Sequence, residues 1–224
     1  MAISVIKLTT ELGPQLILTP ERYNPKRRMD FLDDNKGVIL SEIIELINDI
    51  ITTKKLGKEG CYQINTADAM GGYLNIPKNI ERINSNKKQV KKGDVIISRL
   101  RPYLRQVAYV DKEPDLAPIA ASTEFYVLRS KNNESIAFLV PFLLSDVVQT
   151  VFANSVEGSQ HPRFKEEDIL NLIIPDEVYE QRTEISAQIV EAIESYRLYE
   201  NIVSDNILVV NTAMLHVKKD IQSE

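Results

Sequence analysis

Hydrophobic and polar positions along the chain change period several times, and each change predicts an element. Up to about Pro25, short apolar runs alternate with the turn dipeptides Gly13-Pro14 and Thr19-Pro20, which predicts one or two strands or a lead-in arm. Leu40 to Ile51 (LSEIIELINDII) has apolar residues at helical spacing with Ser41 placed to cap them, so a helix is expected there. From Gly57 to Asn86 the chain is polar and turn-rich, as short strands separated by Gly71-Gly72, Asn75-Ile76-Pro77 and Asn84-Ser85-Asn86 would be. Lys91-Lys92-Gly93-Asp94 reads as a turn and VIISRLRPYL after it as a strand. Period two would put Arg99, Arg101, Tyr103 and Arg105 on one face of that strand. Pro102 cannot donate to a sheet ladder, so the strand must be broken, bulged or at an edge. QVAYV and TEFYVLR predict two more strands, and ESIAFLVPFLLSDVVQTVFANS two short helices, the second capped by Ser145. VEGSQHPRF is a loop, NLIIP a final strand, and Asp176 a cap for the helix beyond it.

The longest regular pattern lies at the C-terminal end. Steps of four and three from Ile185 visit Ile189, Ala192, Tyr196, Tyr199, Val203, Asn206, Val210, Ala213 and Val217, a heptad seam interrupted only by Asn206. No Pro or Gly occurs after Pro175. A helix of roughly 40 residues would be about 60 Å long, too long for one small domain to bury, so it is expected to project and pair with another helix. Asn206 in the seam would favour one register, and the extra apolar run Ile207 to Val210 with Met214-Leu215 implies more than one partner surface. The expected fold class is therefore α/β (α+β): residues 1–175, with a mostly antiparallel twisted sheet, then 176–224 as a long C-terminal coiled-coil helix. Residues 1–38 form a lead-in without an assigned role.

Composition narrows the class. The 224 residues are 43% hydrophobic and 26% charged, ordinary for a soluble domain. No run of 18 uncharged apolar residues exists, so no membrane partner is expected. MAISVIKLTTELG lacks the layout of a signal peptide. A single cysteine, Cys61, can form neither an internal disulfide nor a structural zinc site, and the expected location is the cytoplasm. The net charge of −5 argues against indiscriminate nucleic-acid binding. That figure hides an asymmetry: Lys78 to Arg105 holds nine Lys/Arg against two acids, and Lys165 onward thirteen acids against five Lys/Arg. Such a division points to different partners for the two regions.

Catalytic chemistry finds no foothold. There is no Gly-rich phosphate loop, no G-x-S-x-G and no histidine pair at metal spacing; His161 and His216 lie on different elements. Cys61 has no adjacent activator and reads as a small buried residue. The expectation is a binding protein without metal or catalytic residues. Arg99 and Arg101 could pair internally with Glu124 or Asp94, or fork onto phosphates or guanine acceptors of DNA, with Tyr103 and Arg105 beside them. Lys87, Lys88, Lys91 and Lys92 suit phosphates as flexible point charges. Gln160, His161 and Arg163 sit on a Gly-opened, Pro-stiffened loop able to bond bases or phosphates, or simply to stitch the helix pair to the last strand. Gln63, Asn65, Thr66 and Asn75 could also read bases.

The order of these motifs resembles the target-recognition domain of type I restriction–modification specificity subunits. KKGDVIISRLRPYLRQVAYV, STEFYVLRS, a short helix pair, SVEGSQHPRF and LIIPDEVYEQRTEI succeed one another as in that family, over roughly Leu40 to Leu215. The resemblance implies a non-catalytic, DNA-binding specificity subunit. Its partners would be double-stranded DNA, a methyltransferase (modification) subunit, a restriction subunit, and a second copy or second half-subunit paired through the long helix. S-adenosylmethionine and ATP would sit on the partner subunits, this chain holding no cofactor. Family members usually carry two such domains and two helices, whereas this sequence has one of each. IIPDEV also lacks the family's second proline after Pro175. The rival from another class is a coiled-coil adaptor without a DNA role.

Overall fold

A computed structural model of the chain describes residues 37–56, 59–157 and 160–222, without the side chains of Lys55 and of 216–222. The strands expected before Pro25 lie outside the described residues. The chain divides into two compact units, 1–186 and 187–224.

In the first unit, β1 (Gly37–Ile39) leads into a single helical turn, α1 (Leu40–Ile43), and then directly into β2 (Ile44–Ile47) and β3 (Ile50–Ile51). The helix expected over Leu40–Ile51 is thus corrected to one turn and two strands. Five of those residues are isoleucine, whose branched Cβ favours a pleated surface. A partner strand is also at hand: Ile44 to Ile47 pair antiparallel with Ser130 to Val127. Ser41 is not a cap; the cap position is Ile39, with no side-chain bond. Next come a turn, α2 (Thr53–Leu56), and the short strands β4 (Tyr62–Ile64) and β5 (Gly72–Tyr73), as the Gly57–Asn86 pattern suggested.

Strands β6 (Lys87–Val90) and β7 (Val95–Ser98) flank the Lys91–Asp94 turn, closed by the Asp94 N–H donating to the Lys91 carbonyl at 3.1 Å. Gly93 stands there at φ 94°, a position open to glycine and costly to other residues. Strands β8 (Val107–Tyr109), β9 (Ile119–Ala121) and β10 (Phe125–Ser130) complete two sheets. One has the order β2-β10-β7-β8-β5 and the other β3-β6-β9-β4. Pairing is mostly antiparallel; β5–β8 and β4–β9 are parallel. Ile64, Val90, Ile119 and Ala121 from one sheet and Ile96, Ala108, Phe125 and Val127 from the other belong to one buried cluster, so the core joins the two. Each large aliphatic or aromatic side chain among them contributes about 1.5–3 kcal/mol on burial.

Two helices come next, α3 (Leu139–Leu144) and α4 (Asp146–Ser155), and the Ser145 hydroxyl caps α4 by accepting the Val148 N–H at 3.3 Å. After α5 (Glu166–Leu170), β11 (Ile173–Pro175) pairs antiparallel with β1. Asp176 opens α6 (Asp176–Glu180) as its first residue rather than its cap, which is Pro175. The long helix α7 spans Arg182–Gln222, 41 residues. Within the first unit it is held by Ser186, whose hydroxyl accepts the Phe138 N–H at 3.1 Å and donates to the Ser135 carbonyl at 3.2 Å. The second unit is the remainder of α7, on which Leu198, Tyr199, Leu208, Val209, Met214 and Leu215 are all exposed.

Candidate nucleic-acid interface

Strand β7 stops at Ser98, and the expected common face for Arg99, Arg101, Tyr103 and Arg105 is overturned. Pro102 has no N–H to extend a ladder. The backbone instead turns left-handed at Arg101 (φ 51°, ψ 64°), makes a 3-10 turn over Pro102–Leu104, and turns left-handed again at Arg105 (φ 51°, ψ 43°). The Leu104 N–H donates to the Arg101 carbonyl at 2.9 Å and the Arg105 N–H to the Pro102 carbonyl at 2.8 Å. An L-residue in this conformation costs about 1–2 kcal/mol. Among the described residues only Arg101, Arg105 and Asn133 combine a side chain with positive φ, so two of the three are arginines of this one prong. Pro102 is buried, while Tyr103, 64% exposed, and Leu104, 40% exposed, form its tip.

The loop that carries Arg163 docks on the prong. The Arg101 N–H donates to the Pro162 carbonyl at 2.8 Å and the Phe164 N–H to the Arg99 carbonyl at 3.3 Å. Glu157 and Arg163 exchange two backbone bonds, at 2.9 and 3.0 Å, closing the loop at its base. Phe164 anchors it: its ring stacks on Phe152 of α4 with centroids 4.2 Å apart, and its carbonyl accepts the Tyr126 hydroxyl at 3.1 Å. Gln160 and His161 are exposed on this loop; Gly158 and Ser159 lie outside the described residues.

Glu124 ties the two segments by charge. It accepts Arg163 through both oxygens, at 2.6 and 2.9 Å, and Arg99 Nε at 3.1 Å. The Arg163 bond, aided by Arg99 and opposed by burial, holds the Glu124 carboxyl below the usual carboxylate range. Two guanidiniums thus share one carboxylate. Arg105 pairs with Asp146 at 2.5 Å across the surface, a contact that contributes little in water. Asp94 serves neither Arg99 nor Arg101: it is buried and takes Arg129 through two bonds of 2.8 Å. Arg101 has no ion pair among the described residues, and its Nε is buried without a hydrogen-bond partner.

Of the four predicted lysines, Lys88 lies beside Arg99, the two side chains sharing the Tyr126 ring. Lys88 is buried, its ammonium 5.6 Å from the Tyr126 ring centre, and burial pushes its pKa down. Lys87, half-buried, is its neighbour on β6. Lys91 and Lys92 are exposed at the opposite end of β7 from Arg99, about 13 Å away at 3.3 Å per residue, so the structure does not bring them to the prong. Of the side chains considered for base reading, Gln63 is tied to Glu81 at 3.2 Å and to the Arg82 carbonyl at 3.1 Å. In α7 the seam residues Ala192, Tyr196, Tyr199, Val203, Asn206, Val210 and Ala213 are exposed, Ile185 and Ile189 half-buried, and the Val217 side chain is outside the described residues. Asn206 turns back to donate to the Ile202 carbonyl at 2.8 Å.

Two open clefts flank the prong. One, of about 550 Å3, is lined by Arg99, Tyr126, His161, Arg163 and Lys165 among others. The other, of about 480 Å3, lies between Tyr103-Arg105 and the face of α4 that carries Asp146, Thr150 and Asn154. That face was missed in the sequence, although polar residues at steps of four marked it. Among the described residues no group of three or more His, Cys, Asp or Glu could hold a metal ion, and no helix is long and apolar enough to cross a membrane.

Comparison with known proteins bears on the fold. No family model matches the chain, and no curated protein matches it by sequence. Among solved structures, it is similar to a chain from a study of complex assembly and conformational transition of the type I R-M system, at 24% identity and a TM-score of 0.53, over 81% of this chain and 49% of that one. It is also similar to the HsdS subunit of Thermoanaerobacter tengcongensis, at 22% identity and a TM-score of 0.47, over 80% of this chain and 48% of that one. The first likeness defines the class of fold, a mixed α/β unit with antiparallel-rich sheets and a long helix after it. It is the fold of a chain of a type I R-M assembly, of whose length this chain spans about half.

Proposed function

We propose that the chain is a non-catalytic specificity subunit of a type I restriction–modification complex, binding duplex DNA in a sequence-dependent way and giving target choice to a methyltransferase. The observation that carries this reading is Arg101: a guanidinium without an ion-pair partner among the described residues, on a left-handed backbone locked to the loop of Pro162. Strain of that kind is found where function over-determines geometry, and a guanidinium is the fork that phosphates and guanine accept. The motif order supports it, as does the fold likeness to a type I R-M chain.

Phosphate contacts fall to Arg101, Arg163 and Arg99, the latter two sharing Glu124. The exposed apolar positions of α7 support contacts to a methyltransferase subunit and to a second copy or half-subunit. Two copies would present two identical readers to a symmetric, interrupted site. The restriction subunit joins the same cytoplasmic assembly, and S-adenosylmethionine and ATP belong to the partners. One observation favours the rival adaptor reading: Arg99, Arg105 and Arg163 are all engaged in internal pairs. Co-expression with its methyltransferase decides between them. Genomic methylation at one defined motif that disappears when this chain is deleted supports the specificity reading, and an unchanged methylation map supports the adaptor.

A further inference from the structure

We infer that the cleft between the Tyr103-Arg105 tip and helix α4 reads base edges in the major groove of DNA, with Thr150 and Asn154 as the discriminating side chains. The inference rests on the DNA-binding reading above and adds a second recognition element to it. The two clefts beside the prong differ in chemistry. The first is ionic, with Arg99, Arg163 and Lys165 beside Glu157 and Glu166 and each cation held in an internal pair. The second is lined by the Thr150 hydroxyl, which donates to the Asp146 carbonyl at 2.7 Å and can still accept. It is also lined by the Asn154 amide and by the Asp146 carboxylate held by Arg105, groups of the kinds that bond base edges.

Asp146, Thr150, Ala153 and Asn154 fall at helical spacing on one face of α4. Asp146 and Ala153 are exposed and Thr150 and Asn154 half-exposed, and alanine at the centre leaves room for close approach. The helix is ten residues, about 15 Å long, and an α-helix about 10–12 Å across fits the roughly 12 Å wide major groove. Its position is fixed from behind by the Phe152–Phe164 stack. It is fixed again by Gln149, which donates to the Leu143 carbonyl at 2.7 Å. The Gln149 oxygen is buried with no hydrogen-bond partner among the described residues, in a residue that lines the cleft. An orphan acceptor of this kind is not what stability selects. Asp146 is neutralised by Arg105, so its charge does not bar phosphates from the rim.

The full chain is incubated with a random-sequence duplex library, and the bound fraction is sequenced for the wild type and for a Thr150→Ala/Asn154→Ala double variant. The expected outcome is an unchanged salt slope on fixed duplex DNA and a preference relaxed by about five- to 150-fold at one or two positions. Ala153→Glu, an exposed change that leaves the buried side of α4 intact, should lower affinity for the wild-type sequence tenfold or more. If both variants select the wild-type sequence with wild-type affinity, α4 is not a reader, while the DNA-binding reading stands. If the wild-type chain itself selects nothing, the functional reading fails and this inference goes with it. Loss of methyltransferase binding in Ala153→Glu with selection unchanged would assign the cleft to a protein partner and overturn the inference.

Discussion

The backbone N–H of Arg101 donates to the carbonyl of Pro162 at 2.8 Å, joining two segments about sixty residues apart. That bond holds Arg101 in its left-handed conformation and brings the prong and the Arg163 loop into one surface. Arg101→Gly separates the two properties of the residue. Glycine relieves a strain of about 1–2 kcal/mol and introduces about 0.5–1 kcal/mol of backbone entropy cost. Thermal unfolding should therefore be no lower than in the wild type, while affinity for duplex DNA falls. A fall in melting temperature of several degrees would show that the guanidinium is structural.

Glu124→Gln tests the charge link between the two loops. The folded Glu124 carboxyl titrates below its unfolded value of about 4.3. Its contribution is therefore complete above that pH and disappears as pH falls through the folded value. The variant should be less stable than the wild type by about 1 kcal/mol at pH 7, a figure discounted for the partly exposed Arg163. Urea melts of the two proteins should converge as pH falls below about 4. A constant difference down to pH 3 would contradict the assignment.

Among the described residues, Arg129→Met leaves the buried Asp94 carboxylate with only the Lys91 N–H, at 2.8 Å. An uncompensated buried charge costs about 3 kcal/mol, or roughly 6–12 °C in melting temperature for a domain of this size. Asp94→Asn combined with Arg129→Met should recover part of that loss, since no charge is then stranded. Calorimetry on the three proteins checks it, and additive losses would rule out coupling.

These three sites show what local pattern reveals and what it does not. Strands β8 and β10, the Ser145 cap and the whole of α7 were legible from period and cap chemistry, because each is determined by residues near in sequence. Leu40–Ile51 carried a helical spacing, yet its isoleucines pair with Val127–Ser130, a choice that only the remote strand β10 makes possible. Pro102 announced a break after Ser98, but a left-handed arginine on either side of it has no sequence signal. Glu124 and Asp94 were both visible as acids available to the arginines. Which acid takes which arginine is set by sheet register, and so Arg129 rather than Arg99 or Arg101 holds Asp94.

Val210→Glu places a charge among the exposed apolar residues of α7. If this helix pairs with another, sedimentation should show loss of the dimer or of the methyltransferase complex, with melting of the first unit unchanged. A wild-type sedimentation profile would remove Val210 from any interface.

The central claim, that the arginine prong grips DNA, is tested most directly by the salt dependence of duplex binding for the wild type and Arg101→Ala. The account predicts that log affinity falls linearly with log salt, and that the variant binds more weakly with a slope smaller by about one. Identical slopes, or no retardation of duplex DNA at low salt even with the methyltransferase present, would contradict it.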